Sequence, residues 1–205
     1  MSVAHKLPAQ VRRAAIVEAA IKLFSEKGFR GTTTRELAAA VGVSEPVLYQ
    51  HFATKSDLYA AIIDTKSQDV RSLTESLESY VRLGDDRAFL THLADTILDF
   101  HEQDPGYLRL LLFSGLEKHD LADRFHERQA RGFLQAVIAY IEGRVKQGAF
   151  RDGLDPCLIA MSFIGMVAHY GLERVLSEKT DWPQDRKTVV DGMVSIFLDG
   201  VRKKS

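Results

Sequence analysis

Cysteine is nearly missing from this chain of 205 residues; Cys157 is the only one. A single thiol excludes an internal disulfide and any zinc or iron–sulfur site built from several cysteines. The N-terminus lacks the charged-then-apolar leader of a secreted protein, so a cytoplasmic location is expected. Long apolar runs are missing too. The longest nearly uncharged run, Pro156 to Leu172, holds 17 residues including His169, which is at the lower limit for a membrane span. It reads as a buried helix, with no membrane involved. No segment alternates as a strand and no repeat is visible. There is no Ser/His/Asp constellation, phosphate-cradling glycine loop or close carboxylate pair, so no enzyme and no cofactor are expected. His119, Asp123 and His126 recur at helical spacing, but Asp120 and Asp123 already make sense as helix-start acids, so no metal site is assigned.

The composition that remains is that of a globular protein, 45% apolar and 27% charged. The net charge of −1 hides an asymmetry. Residues 1–60 carry eight Lys/Arg against five acids, +3, which leaves −4 for the rest. A basic end on an acidic body suits a protein that touches phosphate with one end.

The most informative stretch is TTTRELAAAVGVSEPVLYQHFATK, Thr32 to Lys55. Thr33 followed three residues later by Glu36 is a capping box that opens a helix. Leu37, Ala38 and Val41 give that helix an apolar side, and Gly42 stops it where the backbone must turn left-handed. Ser44 is placed to cap a second helix, and Pro46 is tolerated in its first turn. Val47, Leu48 and Phe52 point inward, leaving Glu45, Pro46, Tyr49, Gln50 and His51 outside. Two short helices about a glycine turn form a helix-turn-helix, whose second helix enters the DNA major groove.

The segment Arg13–Ile63 resembles the DNA-binding domain of the TetR family of bacterial transcriptional repressors. The resemblance is carried by AAIKLFSEKGF at 19–29, TTTRELA at 32–38, GVS at 42–44, LYQHF at 48–52 and Lys55 before Leu58. It departs from the usual pattern at Thr34, where an aliphatic residue is common, and at Val47, where a small or hydroxyl residue is usual. The resemblance implies phosphate contacts from Thr33, Tyr49, His51 and Lys55. By chemistry, Arg35 can fork onto guanine, Gln50 suits adenine, Glu45 accepts from cytosine N4 and Pro46 meets a thymine methyl. Ser44 completes the DNA-binding set at the helix start.

Around this unit the pattern predicts an all-α protein of about nine helices: residues 1–54 a DNA-binding domain, 55–205 an effector-binding and dimerisation domain. Met1 to Pro8 reads as a frayed arm with His5 and Lys6. Helix 1 runs from about Ala9 to Lys27, with Val11, Ala15, Ala19 and Leu23 beside Ile16, Ala20 and Phe24 as its apolar face. Gly28 ends it and Phe29 folds back. Thr54 and Asp57 open helix 4, to about Tyr80, shared by two cores. Further helices are expected at 86–102, 107–113, 120–147, 156–179 and 186–202, with a loop around Trp182 and Pro183. The last two are apolar on more than one side, which a second subunit would cover. The resemblance implies the same, a homodimer through the last two helices; two-fold symmetry then predicts two reading helices about 34 Å apart or somewhat more, on a palindromic operator. It also implies a small-molecule pocket. Phe100, His101, Tyr107, Arg109, Phe113, Phe133, Phe163, Met166, His169 and Tyr170 are its candidate lining, suited to a hydrophobic effector. The expected function is a ligand-responsive regulator, a repressor released by its effector. The alternative is a helical DNA-binding or interaction protein without a ligand.

Overall fold

The computed structural model describes residues 8–118, 120–177 and 185–203. These residues form helices α1 (Ala9–Gly31), α2 (Thr34–Ala40), α3 (Glu45–His51), α4 (Lys55–Leu83), α5 (Asp86–Gln103), α6 (Pro105–Leu116), α7 (Asp120–Phe125), a π-helical turn (His126–Ala130), α8 (Arg131–Lys146), α9 (Pro156–Leu176) and α10 (Arg186–Val201). No strand occurs among them; one isolated antiparallel bridge joins Phe150 to Arg202. The all-α expectation holds. The His5–Lys6 arm, His119 and the Trp182–Pro183 loop lie outside the described residues. Contacts group the chain into two compact units, Met1–Gln68 with Gly106–His126 and Asp69–Pro105 with Glu127–Ser205.

In the first unit, α1 buries Ile16, Val17, Ala20, Ile21 and Phe24. The expected face holds for Ile16, Ala20 and Phe24 and is corrected for the row beside them: Val11 is 50% exposed, Ala15 is exposed, and Ala19 and Leu23 are half-buried. The buried row is Ile16–Ala20–Phe24, widened by Val17 and Ile21. Leu37, Ala38, Leu48, Phe52, Leu58, Tyr59 and Ile62 complete this core. Each fully buried large apolar side chain contributes about 1.5–3 kcal/mol. Gly28 breaks α1 at φ 71°, and Phe29 folds back onto Phe24, ring centroids 5.7 Å apart. Gly42 turns the chain at φ 68°. Thr54 and Asp57 cap α4 reciprocally, each backbone N–H donating to the other's side chain at 2.9 and 3.0 Å.

One helix was expected over 120–147; α7, the π turn and α8 stand there instead. A π turn inserts residues into the helical period and rotates the following face. Here α7 belongs to the first unit, with Phe125 against Tyr107 at 6.2 Å. Past the turn, Val137, Tyr140 and Ile141 enter the core of the second. One straight apolar stripe does not serve both.

In the second unit α5 packs on α9 and α10, and α8 packs on α9. Asp85 caps α5 by accepting from the amides of Arg87 and Ala88. The next residue, Asp86, is buried and takes a forked pair of bonds from Arg144 at 2.6 and 3.0 Å and one from the Tyr140 hydroxyl at 2.7 Å. Paired and bonded in this way, a buried carboxylate is tolerated. Burial, then the Asp86 carboxylate, push the Tyr140 phenol upward. Arg186 at the start of α10 gathers Asp95, Asp99 and Glu102 of α5 at 3.0, 2.8 and 3.2 Å. Gly171 lets α9 approach α5 closely: a Cβ there would stand 3.0 Å from the His101 ring.

Candidate nucleic-acid interface

The two helices of the turn unit begin differently. At α2 the Thr33 hydroxyl accepts from the Glu36 amide at 3.2 Å. In return the Thr33 amide and hydroxyl donate to Glu36 Oε2 at 2.8 and 2.9 Å. Lys27 binds Glu36 Oε1 at 2.6 Å. The Lys27 bond first, then the Thr33 amide and hydroxyl, hold the Glu36 carboxyl down at about 2. So the donors that Thr33 was expected to offer a phosphate are both directed at Glu36.

At α3, Ser44 occupies the cap position, but its hydroxyl makes no capping bond. This corrects the expected side-chain cap. Three residues on stands Val47, which has no acceptor to complete a box, and Pro46 at the second helical position has no N–H to donate to the Ser44 hydroxyl. The backbone closes the start instead, with the amides of Val47 and Leu48 donating to Ser44 O, both at 3.0 Å. Glu45 does not face outward alone. Its Oε2 accepts from the Thr34 hydroxyl of α2 at 2.7 Å, and the Tyr49 hydroxyl reaches Thr34 Oγ1 at 3.4 Å. Thr34, which the sequence marked only as a departure from the usual pattern, therefore ties α2 to α3.

The outer face of α3 presents Pro46, Tyr49 and Gln50, all exposed, with Glu45 and His51 half-buried. Arg35 on α2 is exposed and makes no hydrogen bond or ion pair among the described residues. Lys55 is placed otherwise than expected. Its ammonium donates to the carbonyls of Phe29 and Thr32, the latter at 2.8 Å, and lies 4.0 Å over the Phe29 ring. Burial lowers its pKa, against the nearby Glu117 carboxylate. It therefore ties α4 to the end of α1 and the turn that follows it. Arg13 caps the other side of the unit, 4.4 Å over the Phe52 ring.

The candidate effector residues fall in both units. In the first, Tyr107 is buried, Arg109 is exposed and Phe113 is half-buried, with its ring edge 3.5 Å from where a Cβ on Gly28 would lie. In the second, Phe163 and Tyr170 are buried, Phe100, Phe133 and Met166 half-buried, and His169 exposed. His101 is buried with Nδ1 bonded to Ile97 O at 2.6 Å. Burial pushes its imidazole downward. Of the ten, only Met166 lines the cavity of about 310 Å³ between α9 and α10, whose wall also includes Leu158, Ser162, Ile196 and Gly200. Leu158, Met161 and Ile196, on the outside of these helices, are 59%, 50% and 71% exposed. Helix Pro156–Leu176 is long and apolar enough to cross a membrane by length and composition; here Ile159, Ala160, Phe163, Val167 and Tyr170 hold it in the core of the bundle.

A DNA-binding class of protein is what this turn unit defines. Bacterial regulatory proteins of the tetR family match the chain over residues 16–62. The HTH-type transcriptional activator FasR of Mycolicibacterium smegmatis is 28% identical over 199 residues, 96% of this chain and 86% of FasR. The nucleoid occlusion factor SlmA of Marinobacter nauticus is 30% identical over 145 residues, 71% of this chain and 72% of SlmA. Among solved structures, AibR in complex with isovaleryl coenzyme A and operator DNA has a TM-score of 0.65 and 23% identity, covering 90% of this chain and 97% of AibR. The chain belongs to the TetR family of bacterial regulatory proteins.

Proposed function

We propose that this protein is a ligand-responsive transcriptional regulator that binds a palindromic operator as a homodimer and is released by a small hydrophobic effector. Residues 1–54 are the reading head and residues 55–205 the effector and dimerisation part. The observation that carries the reading is the outer face of α3. Ser44, Pro46 and Gln50 stand exposed there, and Arg35 next to them is uncommitted among the described residues. Polar and charged groups held in place yet without an internal partner are what base edges and phosphates require. Arg35, Pro46 and Gln50 read bases; Thr33, Ser44, Tyr49, His51 and Lys55 position the backbone, with Glu45 bracing the pair of helices.

Dimerisation is supported by the apolar outside of α9 and α10. Leu158, Met161 and Ile196 are individually large and mostly exposed, and a second copy covers such a face at little entropic cost beyond association. The effector class follows from the aromatic and Met side chains of the C-terminal part, and an acyl coenzyme A, which AibR holds, is the first probe.

The test is selection of duplexes from a random pool by the full-length chain. The expected product is a palindrome, bound at a ratio of two chains. Arg35→Ala should relax preference at one base pair per half-site, at a cost of about 1–3 kcal/mol; an equal loss on every sequence removes Arg35 from the reading set. Ile196→Glu should shift sedimentation to the monomer and abolish tight operator binding. Transcription from the selected site falls on adding the protein if it represses; a rise makes it an activator, as FasR is named.

A further inference from the structure

The last turn of α1, beyond the kink at Gly28, is held at both ends of one residue, Phe29. The carbonyl of Phe29 accepts from the Lys55 ammonium. Its N–H donates to Glu117 Oε2 at 3.1 Å, across 88 residues of sequence. Glu117 directly follows α6, whose end is closed by the Glu117 amide on Phe113 O at 2.8 Å and by Lys118 in a left-handed conformation, φ 52°.

The bond has a local cause. Gly28 leaves the helix at φ 71° and ψ 175°, which turns the following amide out of the α1 ladder. An amide so displaced next to packed rings needs another acceptor. The Phe29 ring lies against Phe24 and Tyr59, at 5.7 and 4.8 Å. The carboxylate packs directly on this glycine: a Cβ at position 28 would stand 2.5 Å from Glu117 Oε1, and the positive φ there favours glycine. Phe113, one helical turn before Glu117, packs at the same glycine. The end of α6 therefore clasps Gly28 and Phe29 with one apolar and one charged side chain. Thr33, which caps α2, lies four residues beyond Phe29, so the clasp holds the backbone that leads into α2.

We propose that Glu117 is a positioning residue for operator binding. Its carboxylate fixes the α1–α2 turn, and through it the aim of α2 and α3. The inference rests on the DNA-reading function proposed above and adds a residue that touches no DNA. Its sign is diagnostic. Removing an acid from a DNA-binding unit ordinarily strengthens binding, because one repulsion of phosphate is lost. Removing this one should weaken it.

The experiment uses the full-length chain and the duplex that the wild-type protein selects. Glu117→Ala and Glu117→Met remove the acceptor; Glu117→Gln keeps an acceptor oxygen. Affinity should fall about tenfold in the first two, the scale of one charge-assisted hydrogen bond, and stay within about threefold of wild type in Glu117→Gln. The salt dependence should keep its slope, since no phosphate contact is lost. Hydrogen exchange at the Phe29 amide should speed up in Glu117→Ala and Glu117→Met alone, which reads the bond directly. Equal or tighter binding by a folded acceptor-free variant overturns the proposal, and so does a Glu117→Gln protein as weak as Glu117→Ala. If the wild type selects a duplex and the variants match it, this inference alone falls; if the wild type selects none, the DNA-reading function falls with it.

Discussion

Helices α2 and α3 are each seven residues long, each follows a hydroxyl residue in extended backbone, and each has a glutamate in its first turn. Their starts are nevertheless opposites. Thr33 and Glu36 satisfy one another, and Lys27 closes the ring. Ser44 is left open, and Glu45 reaches away from its own helix to Thr34. The spacing decides it. A glutamate three residues after the cap can fold back onto it, and one immediately after the cap cannot. The start of α2 is self-sufficient; the start of α3 depends on its neighbour.

The sharpest way to break this contrast is Glu45→Ala. It removes the shorter of the two bonds that join α3 to α2 and leaves the Thr34 hydroxyl without its acceptor, so the melting transition should drop by an amount equivalent to about 1–2 kcal/mol. Calorimetry of the full-length protein checks it, and an unchanged transition would mean that α3 holds its place without α2. Next come the two caps compared directly. Thr33→Ala should cost about 1 kcal/mol, whereas Ser44→Ala should stay within about 0.5 kcal/mol and show its effect in DNA affinity instead. Equal stability losses in the pair would erase the difference between the two starts.

The smallest effect concerns pH. Glu36 is held at about 2, below the roughly 4.3 of a free glutamate. A depressed carboxyl contributes stability that is fully present above the unfolded value and is lost as pH falls through the folded one. The box should therefore persist through mild acid and open only as pH approaches 2. Carboxyl titration followed by NMR should place the Glu36 midpoint there; a midpoint near 4.3, the free value, would mean that the box is open in solution.

The same chemistry governed what could be read in advance. The capping box at Thr33, the breaks at Gly28 and Gly42 and the reciprocal cap of Thr54 and Asp57 all lie within a few residues of their partners, and all were legible. The row of α1 that faces the core, Ile16, Ala20 and Phe24, was legible, but Val11 and Ala15 beside it share the same four-residue period, and only the packed neighbours show that they lie outside. The division of 120–147 was hidden because a π turn carries no composition signal; the two sides simply bury in different units.

What the amino-acid order alone determined, then, is where helices start and stop when a cap or a glycine marks the place, as at Thr33, Gly42 and Thr54, for those contacts close over three or four residues and need no other part of the chain. Only the folded chain decided which of the resulting polar groups stay free. Lys55 found the carbonyls of Phe29 and Thr32, Glu45 found Thr34, and Glu117 found the Phe29 amide from 88 residues away. Each is a charged or acceptor group that bonds whichever unsatisfied backbone or hydroxyl partner packing brings within about 3 Å, and no local pattern states which one that will be.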